Sequence, residues 1–209
     1  MAIINIKSKE RKPAALLFFM FFSIVSATIT GASVKDAVFL TQFDKSYLPV
    51  MFITIAVVMA GVIALYKKLT AGQDQIFVIS ISGALFSVSL FLLQSNLSGL
   101  FIPVLYIWME VVTILSIFQF WILAGEIFNA RQAKRIFTLL GAGGSFAGMG
   151  AGYGIKPFVS TFGSENLLFL TIFFIGLSVV MAQMLRPFRM PHKHKKVNPK
   201  TVPKSKTEF

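Results

Sequence analysis

Long apolar stretches separated by short polar segments dominate the pattern of this chain. As a helix rising 1.5 Å per residue, about 20 apolar residues are enough to cross the roughly 30 Å hydrocarbon core of a membrane. Six stretches come close to this length, at 14–34, 49–66, 76–95, 101–123, 137–159 and 167–185. The fifth is the least apolar because it is rich in glycine. The pattern predicts an all-α integral membrane protein with six transmembrane helices.

The composition agrees with a membrane protein and removes several kinds of chemistry. Of the 209 residues, 56% are hydrophobic and 13% are charged, whereas about 25% are charged in soluble domains. Cysteine is absent, so thiol catalysis and cysteine metal sites are excluded. The two histidines, His192 and His194, lie in a polar tail, far from the apolar stretches. We therefore expect no metal, no cofactor and no enzymatic activity.

Basic residues are concentrated on one side of the predicted membrane. Of the 20 lysines and arginines, 17 precede the first stretch, follow the second or fourth, or lie after residue 185; the others are Lys35, Lys45 and Lys156. Loops rich in Lys and Arg stay in the cytoplasm, so we expect a multi-pass protein of the cell (inner) membrane with both termini cytoplasmic. The net charge of +12 is then a topology signal and does not indicate nucleic-acid binding.

Three segments follow from this topology. Residues 1–13 form a basic cytoplasmic N-terminus, 14–185 form the six-helix bundle, and 186–209 form a basic cytoplasmic tail, rich in Lys and Pro and predicted to be disordered. The alternative for the first stretch is a cleaved signal peptide, but an h-region has about 7–15 residues and this stretch is longer. The tail would serve as a topology anchor or as a linker.

Glu110 lies inside the fourth apolar stretch and is the most informative residue of the chain. An acid there costs roughly 2.5–3.5 kcal/mol unless it faces a partner or a water-filled cavity. At 100° per residue, Thr113, Ile117 and Trp121 share its side of the helix. This face would suit the wall of a substrate cavity. The alternative is a structural carboxylate bonded to a neighbouring helix.

Lys35 and Asp36 directly follow the first apolar stretch. The next residues, 37–40, are again apolar, so the helix can continue past the two charges. Lys35 would then lie within the outer half of the bundle. It could pair with Asp36, with Glu110 or with an anionic substrate. The alternative is a lysine whose ammonium group reaches up to the membrane interface.

Two further segments are candidates for packing and gating. Gly144, Gly148 and Gly152 repeat every four residues in the fifth stretch, a spacing that lets helices approach closely. A phosphate-binding G-x-G-x-x-G loop is excluded, because Phe146 occupies the last glycine position. The connector between the fourth and fifth stretches would act as an ion-paired gate, or equally as a solvated turn, with Arg131, Lys134 and Arg135 as its basic residues.

Two segments of the chain resemble the nucleotide (ATP/ADP) translocases of plastids and intracellular bacteria, which are related to the major facilitator superfamily. The residues that carry the resemblance are Glu110, Phe120, Trp121, Ala124, 133–137 and 139–141, together with Lys35, Asp36, Phe39, Leu40, Leu48 and Pro49. That family has about twelve spans in two six-span halves, so the resemblance implies the N-terminal half of a major facilitator fold. It also implies that Lys35 and Glu110 are functional charges of the translocation path.

The function expected from the charges and the resemblance is secondary transport of an anionic solute, with ATP/ADP-type antiport as the first candidate. Lys35, Glu110, Thr113 and Trp121 would bind the substrate, and Asp36 would act with the basic connector in gating. The lipid bilayer and a second six-helix half, or a second copy of the chain, would be the partners. The alternatives are a non-transporting membrane anchor or regulatory module, and a truncated half of a twelve-helix transporter.

Overall fold

The computed structural model describes residues 8–95 and 97–189, without the side chains of 8, 9, 130, 131 and 133–135. Of the predicted N-terminal segment 1–13, only residues 8–13 are described. Of the predicted tail 186–209, only residues 186–189 are described, and the prediction of disorder lies outside the described residues.

The described chain is all-helical and contains no strand. Its six long helices are α1 (Ser8–Gln42), α2 (Leu48–Thr70), α3 (Gln75–Gln94), α4 (Phe101–Ile127), α5 (Ala130–Phe162) and α6 (Leu167–Met184). Short 3-10 turns precede α2 and follow α6, at Lys45–Tyr47 and Arg186–Phe188. Five of the helices are long and apolar enough to cross a membrane. The remaining helix, α5, is long enough but not apolar enough, because it is rich in glycine.

The connector between α4 and α5 is much shorter than the hydropathy pattern predicts. Asn129 caps α5 by accepting a hydrogen bond from the backbone N–H of Gln132, and the Gln132 side chain accepts one from the N–H of Asn129. This reciprocal capping box starts α5 at Ala130. The backbone of residues 131–135 therefore belongs to the first turns of a helix and not to a turn between helices.

Two sets of contacts join the helix ends on one side of the bundle. Glu10 in the first turn of α1 accepts a hydrogen bond of 2.7 Å from Gln132 in α5. Arg189, just after α6, pairs with Asp74 before α3 and with Glu126 near the end of α4. We call this side the terminal end of the bundle, and the opposite side, which holds the segments 43–47, 95–100 and 163–166, the loop end. Both ends of the described chain thus lie on one side.

Helix α1 is the centre of the bundle. It packs against α4, α5 and α6, while α3 packs against α4 and α6, and α2 packs against α4. Exchanging α1 with α4, α2 with α5, and α3 with α6 maps this set of helix pairs onto itself. The contacts therefore have the pattern of two three-helix repeats. A hydrogen bond of 2.9 Å between the hydroxyls of Thr30 and Thr171 also joins α1 to α6 in the core.

The glycines of α5 divide into two groups by what lies next to them. A Cβ atom placed on Gly143 would lie 3.1 Å from the carbonyl oxygen of Phe18, and one on Gly144 would lie 3.1 Å from the ring of Phe21. By contrast, Gly148 and Gly152 have open space at the same position. Close packing of α5 on α1 thus uses the first group, and the second group faces out of the bundle.

We expect Gly143→Val to lower the free energy of unfolding by about 1–2 kcal/mol, because the backbone of α1 cannot retreat as a side chain could. Gly148→Val is the matched control, since it makes the same chemical change on the same helix where nothing is in contact. Thermal unfolding of the purified protein in detergent would measure both. Equal shifts in Tm for the two variants would contradict the assignment of Gly143 to the α1–α5 contact.

Candidate functional site

Helix α1 continues past Lys35 and Asp36 to Gln42, as the apolar residues after them allow. Lys35 lies seven residues before the end of α1, and Glu110 lies nine residues after the start of α4. At 1.5 Å per residue, these positions are about 10 and 14 Å from the loop end of their helices. The two charges therefore lie at similar depths inside membrane-length helices that pack against each other.

The side chain of Lys35 joins α1 to α4. Its ammonium nitrogen lies 3.0 Å from Oε1 of Glu110 and 3.2 Å from Oδ1 of Asp36. It also lies 3.9 Å from the centre of the Tyr106 ring, one turn before Glu110 on α4. Two carboxylates and an aromatic face thus share one lysine. A cation held in this way is stabilised without leaving the membrane region.

Burial is unequal within this charge cluster. The side chain of Lys35 is 8% exposed, whereas those of Glu110 and Asp36 are 28% and 51% exposed. The carboxylates therefore open to the outside of the bundle, and the lysine lies behind them. One cation and two ionised acids leave the cluster with a net charge of −1. An anion that approached Lys35 would compete with these two carboxylates.

The other two predicted substrate residues lie at different distances from this cluster. Thr113 follows Glu110 by one turn and lines a narrow cleft between α1, α4 and α6 that also contains Thr28. Trp121 lies eleven residues, or about 16 Å, further along α4. It belongs to an aromatic group with Phe21, Phe120 and Phe137. Thr113 is thus adjacent to the charge cluster, and Trp121 is distant from it.

The predicted gating residues fall in different places. Asp36 belongs to the charge cluster, whereas the side chains of Arg131, Lys134 and Arg135 lie outside the described residues. Of the three predicted packing glycines, Gly144 lies against α1, while Gly148 and Gly152 line an open groove beside Ile29 and Lys156.

An ion-paired clamp at the terminal end was missed by sequence reasoning. The guanidinium of Arg189 bonds to Asp74 and lies 2.8 Å from a carboxylate oxygen of Glu126. Asp74 also caps α3, accepting hydrogen bonds from the N–H groups of Ile76 and Phe77. Partial burial alone would raise the pKa of Asp74, but the Phe77 N–H and the Arg189 guanidinium lower it below the ordinary value. The clamp ties together the ends of α3, α4 and α6.

Tyr106 was also missed, although its position four residues before Glu110 could have indicated it. Side chains four residues apart on a helix are neighbours, so an aromatic ring at this spacing lies beside whatever cation Glu110 binds. The clamp is harder to predict from the sequence, because its three residues are far apart along the chain.

A comparison of the chain with protein-family models, curated proteins and solved structures found no match.

Proposed function

We propose that this chain is a six-helix transport unit, equivalent to the N-terminal half of a major facilitator transporter, and that the Lys35 cluster binds an anionic solute during its passage. The observation that carries the proposal is a lysine held by two carboxylates inside membrane-length helices, with both carboxylates open to one side. ATP/ADP-type exchange is the first candidate, because of the resemblance of the segments around Lys35 and Glu110.

Partly exposed carboxylates argue that the bundle does not function alone in lipid. Asp36 is half exposed and Glu110 more than a quarter exposed, yet ionised groups inside a membrane face a protein partner or a water-filled cavity. A second six-helix half, or a second copy of this chain, would cover that side and leave an aqueous path between the two units. Substrates of such transporters bind near the interface of the two units, which rock around the site.

The packing of the helices supports the same architecture. The helix pairs map onto themselves when the first three helices are exchanged with the last three. Major facilitator transporters contain this arrangement, in which each six-helix half is built from two inverted three-helix repeats. The exchange also relates α1, which carries Lys35, to α4, which carries Glu110. The charge cluster therefore lies between corresponding helices of the two repeats.

The geometry supports a mechanism in which carboxylates and substrate compete for one lysine. Without substrate, Glu110 neutralises Lys35, so the charge of the mostly buried lysine is compensated. An incoming phosphate or carboxylate group would displace Glu110 and take over Lys35, leaving Glu110 free to move or to take up a proton. After release of the substrate, Glu110 would return to Lys35. Both residues are then needed for turnover, and Lys35 alone is essential for binding.

Uptake of labelled ATP and ADP by intact bacterial cells that express the chain would test the proposal. We expect uptake that unlabelled nucleotide competes away, and loss of uptake in both Lys35→Ala and Glu110→Gln at equal membrane levels. Nucleotide binding to isolated membranes should be lost in Lys35→Ala and kept in Glu110→Gln, because the glutamine variant leaves the lysine accessible.

Two control variants test whether the loss of uptake is specific to the Lys35 cluster or follows from removing any charge. Lys156→Ala removes an exposed membrane-level lysine with no ion pair in the described part of the chain, and Glu165→Gln neutralises an exposed acid at the loop end. Both should retain uptake. If Lys35→Ala and Glu110→Gln transport as well as the wild type, the proposed role of the Lys35 cluster is wrong. If the wild type reaches the membrane without transporting, autonomous nucleotide transport is wrong. A membrane anchor or regulatory module would then be favoured, because in such a module the ion pair serves stability alone.

A further inference from the structure

Two small cavities adjoin each other in the centre of the bundle. The first is the cleft between α1, α4 and α6 that contains Thr28 and Thr113, and the second lies beside it, between α1, α3, α4 and α6. Ser116 of α4 and Ser178 of α6 line both cavities. In each of them, the space open to the centre of a water molecule is about 10 Å³. This is enough room for one water.

Hydroxyl groups are concentrated in the walls of both cavities. Four residues with hydroxyls line the first cavity, namely Thr28, Thr113, Ser116 and Ser178. Three line the second, namely Ser82, Ser116 and Ser178. The rest of both walls is mainly apolar. A water inside a protein needs about two to four polar partners, whereas a cavity with apolar walls alone stays dry. Each of these cavities has enough polar partners for one water.

Three of these hydroxyls make no hydrogen bond inside the protein. A serine or threonine within a helix often donates to the backbone oxygen one turn earlier, as Ser23 does to Phe19. By contrast, Thr28, Thr113 and Ser116 bond to no residue in the described part of the chain. All three are partly buried, and a polar group in apolar surroundings is unfavourable without a partner. Their hydroxyls are therefore available to a small ligand that both donates and accepts.

The cavities lie where the two three-helix repeats meet. The first repeat, α1–α3, contributes Thr28 and Ser82, and the second, α4–α6, contributes Thr113, Ser116 and Ser178. Ser116 lies fifteen residues, or about 22 Å, from the loop end of α4. The hydroxyls are thus near the middle of membrane-length helices, where ordered water commonly supplies the hydrogen bonds that polar groups lack.

We propose that each cavity binds one water molecule and that the two waters connect the hydroxyls of the first repeat to those of the second. The first water bonds to Thr28, Thr113 and Ser116. It also donates to Ser178, whose own hydrogen goes to a backbone oxygen of α6. The second water bridges Ser116 and Ser178 to Ser82. A water-mediated hydrogen bond is nearly as favourable as a direct one, so the waters add bonds between the repeats that the side chains alone do not make. This inference does not depend on the proposed transport function.

Radiolytic footprinting of the detergent-purified protein would test the site, because an X-ray pulse turns bound water into hydroxyl radicals that oxidise adjacent side chains. Met109 lines the first cavity and Met20 the second, and both are only 1% exposed. Met59, which is 6% exposed and lines neither cavity, is the internal control. Mass spectrometry should show Met109 and Met20 oxidised at least about tenfold faster than Met59, although they are less exposed to solvent.

Variants of the cavity walls make the test specific. Ser116→Leu places a larger apolar side chain in the wall that the cavities share, and should lower the oxidation of both methionines to the control rate. Ser145→Leu makes the same change on the exposed side of α5 and should leave both rates unchanged. The double variant Thr28→Val and Thr113→Val nearly keeps the shape of the first cavity but removes two hydroxyls. Oxidation of Met109 should then fall at least about fivefold, while that of the other methionine stays the same.

Three results would overturn the proposal. Oxidation of the two methionines no faster than that of the control would mean that the cavities are dry. Equal oxidation in the wild type and in Ser116→Leu, with the variant shown to be folded by circular dichroism and gel filtration, would mean that radicals arrive from bulk solvent. A higher Tm in NaCl than in KCl at equal ionic strength, with the difference lost in the double variant, would identify a sodium ion instead of water.

Discussion

Lys35→Met is expected to lower the free energy of unfolding by about 3 kcal/mol, the largest effect of any single substitution in the bundle. Removing one partner of a buried ion pair leaves the remaining charge without compensation, which costs about 3–5 kcal/mol in buried sites. The lower end applies here because Glu110 is 28% exposed. Reversible unfolding in mixed micelles of detergent and SDS would give the value.

A double variant distinguishes the ion pair from other effects of the lysine. Glu110→Gln alone should cost about 1 kcal/mol, because Lys35 keeps Asp36 as a partner. Lys35→Met combined with Glu110→Gln should be more stable than Lys35→Met alone by about 2 kcal/mol, since the uncompensated glutamate is gone. This stable double variant should still lack uptake, so loss of transport can be separated from loss of the fold.

The control for this cycle is Lys156→Met, which removes an exposed lysine and should change stability by no more than about 0.5 kcal/mol. Additive effects of the two substitutions at the cluster would mean that Lys35 and Glu110 do not interact in the folded protein. The proposed exchange of partners at Lys35 would then lose its basis.

The helices of this protein could be predicted because a run of apolar residues long enough to cross a membrane is a local property of the sequence. The ends of these helices could not be predicted from hydropathy, because they depend on capping side chains and on contacts with other helices. The apolar residues 37–40 allowed α1 to continue past Lys35 and Asp36, but hydropathy did not mark its end at Gln42, and the lysine's partner Glu110 lies on another helix. The start of α5 depends on Asn129, which caps the helix together with Gln132, and hydropathy does not contain this signal.

The candidate site shows the same division between local and long-range information. Helical periodicity placed both Thr113 and Trp121 on the side of Glu110, but Trp121 lies about 16 Å further along α4, because periodicity gives the direction of a side chain and not its depth. Lys35 pairs with both Asp36 and Glu110, which the sequence offered as alternatives, and the packing of α1 on α4 brings the glutamate to the lysine.

The clamp at the terminal end is the second place where one substitution should have a large effect. Arg189→Gln is expected to lower the free energy of unfolding by about 2–3 kcal/mol, because Arg189 and Glu126 are mostly buried, with side chains 18% and 14% exposed. The same substitution at Arg186, which is exposed in the adjacent 3-10 turn, is the matched control and should have little effect. Unfolding in mixed micelles would again be the measurement.

The pH dependence of stability provides an independent test of this clamp. The Phe77 N–H and Arg189 together hold the pKa of Asp74 below its ordinary value, against the opposing effect of partial burial. A lowered pKa in the folded state gives a stabilisation that is complete above the ordinary value, about pH 4, and is lost as the pH falls through the folded value. Wild-type stability should therefore fall below about pH 4, and the fall should be smaller in Arg189→Gln, which keeps only the helix cap. Identical acid profiles for the two proteins would mean that Arg189 does not pair with Asp74 in solution, and that the ends of α3, α4 and α6 are held together by apolar packing alone.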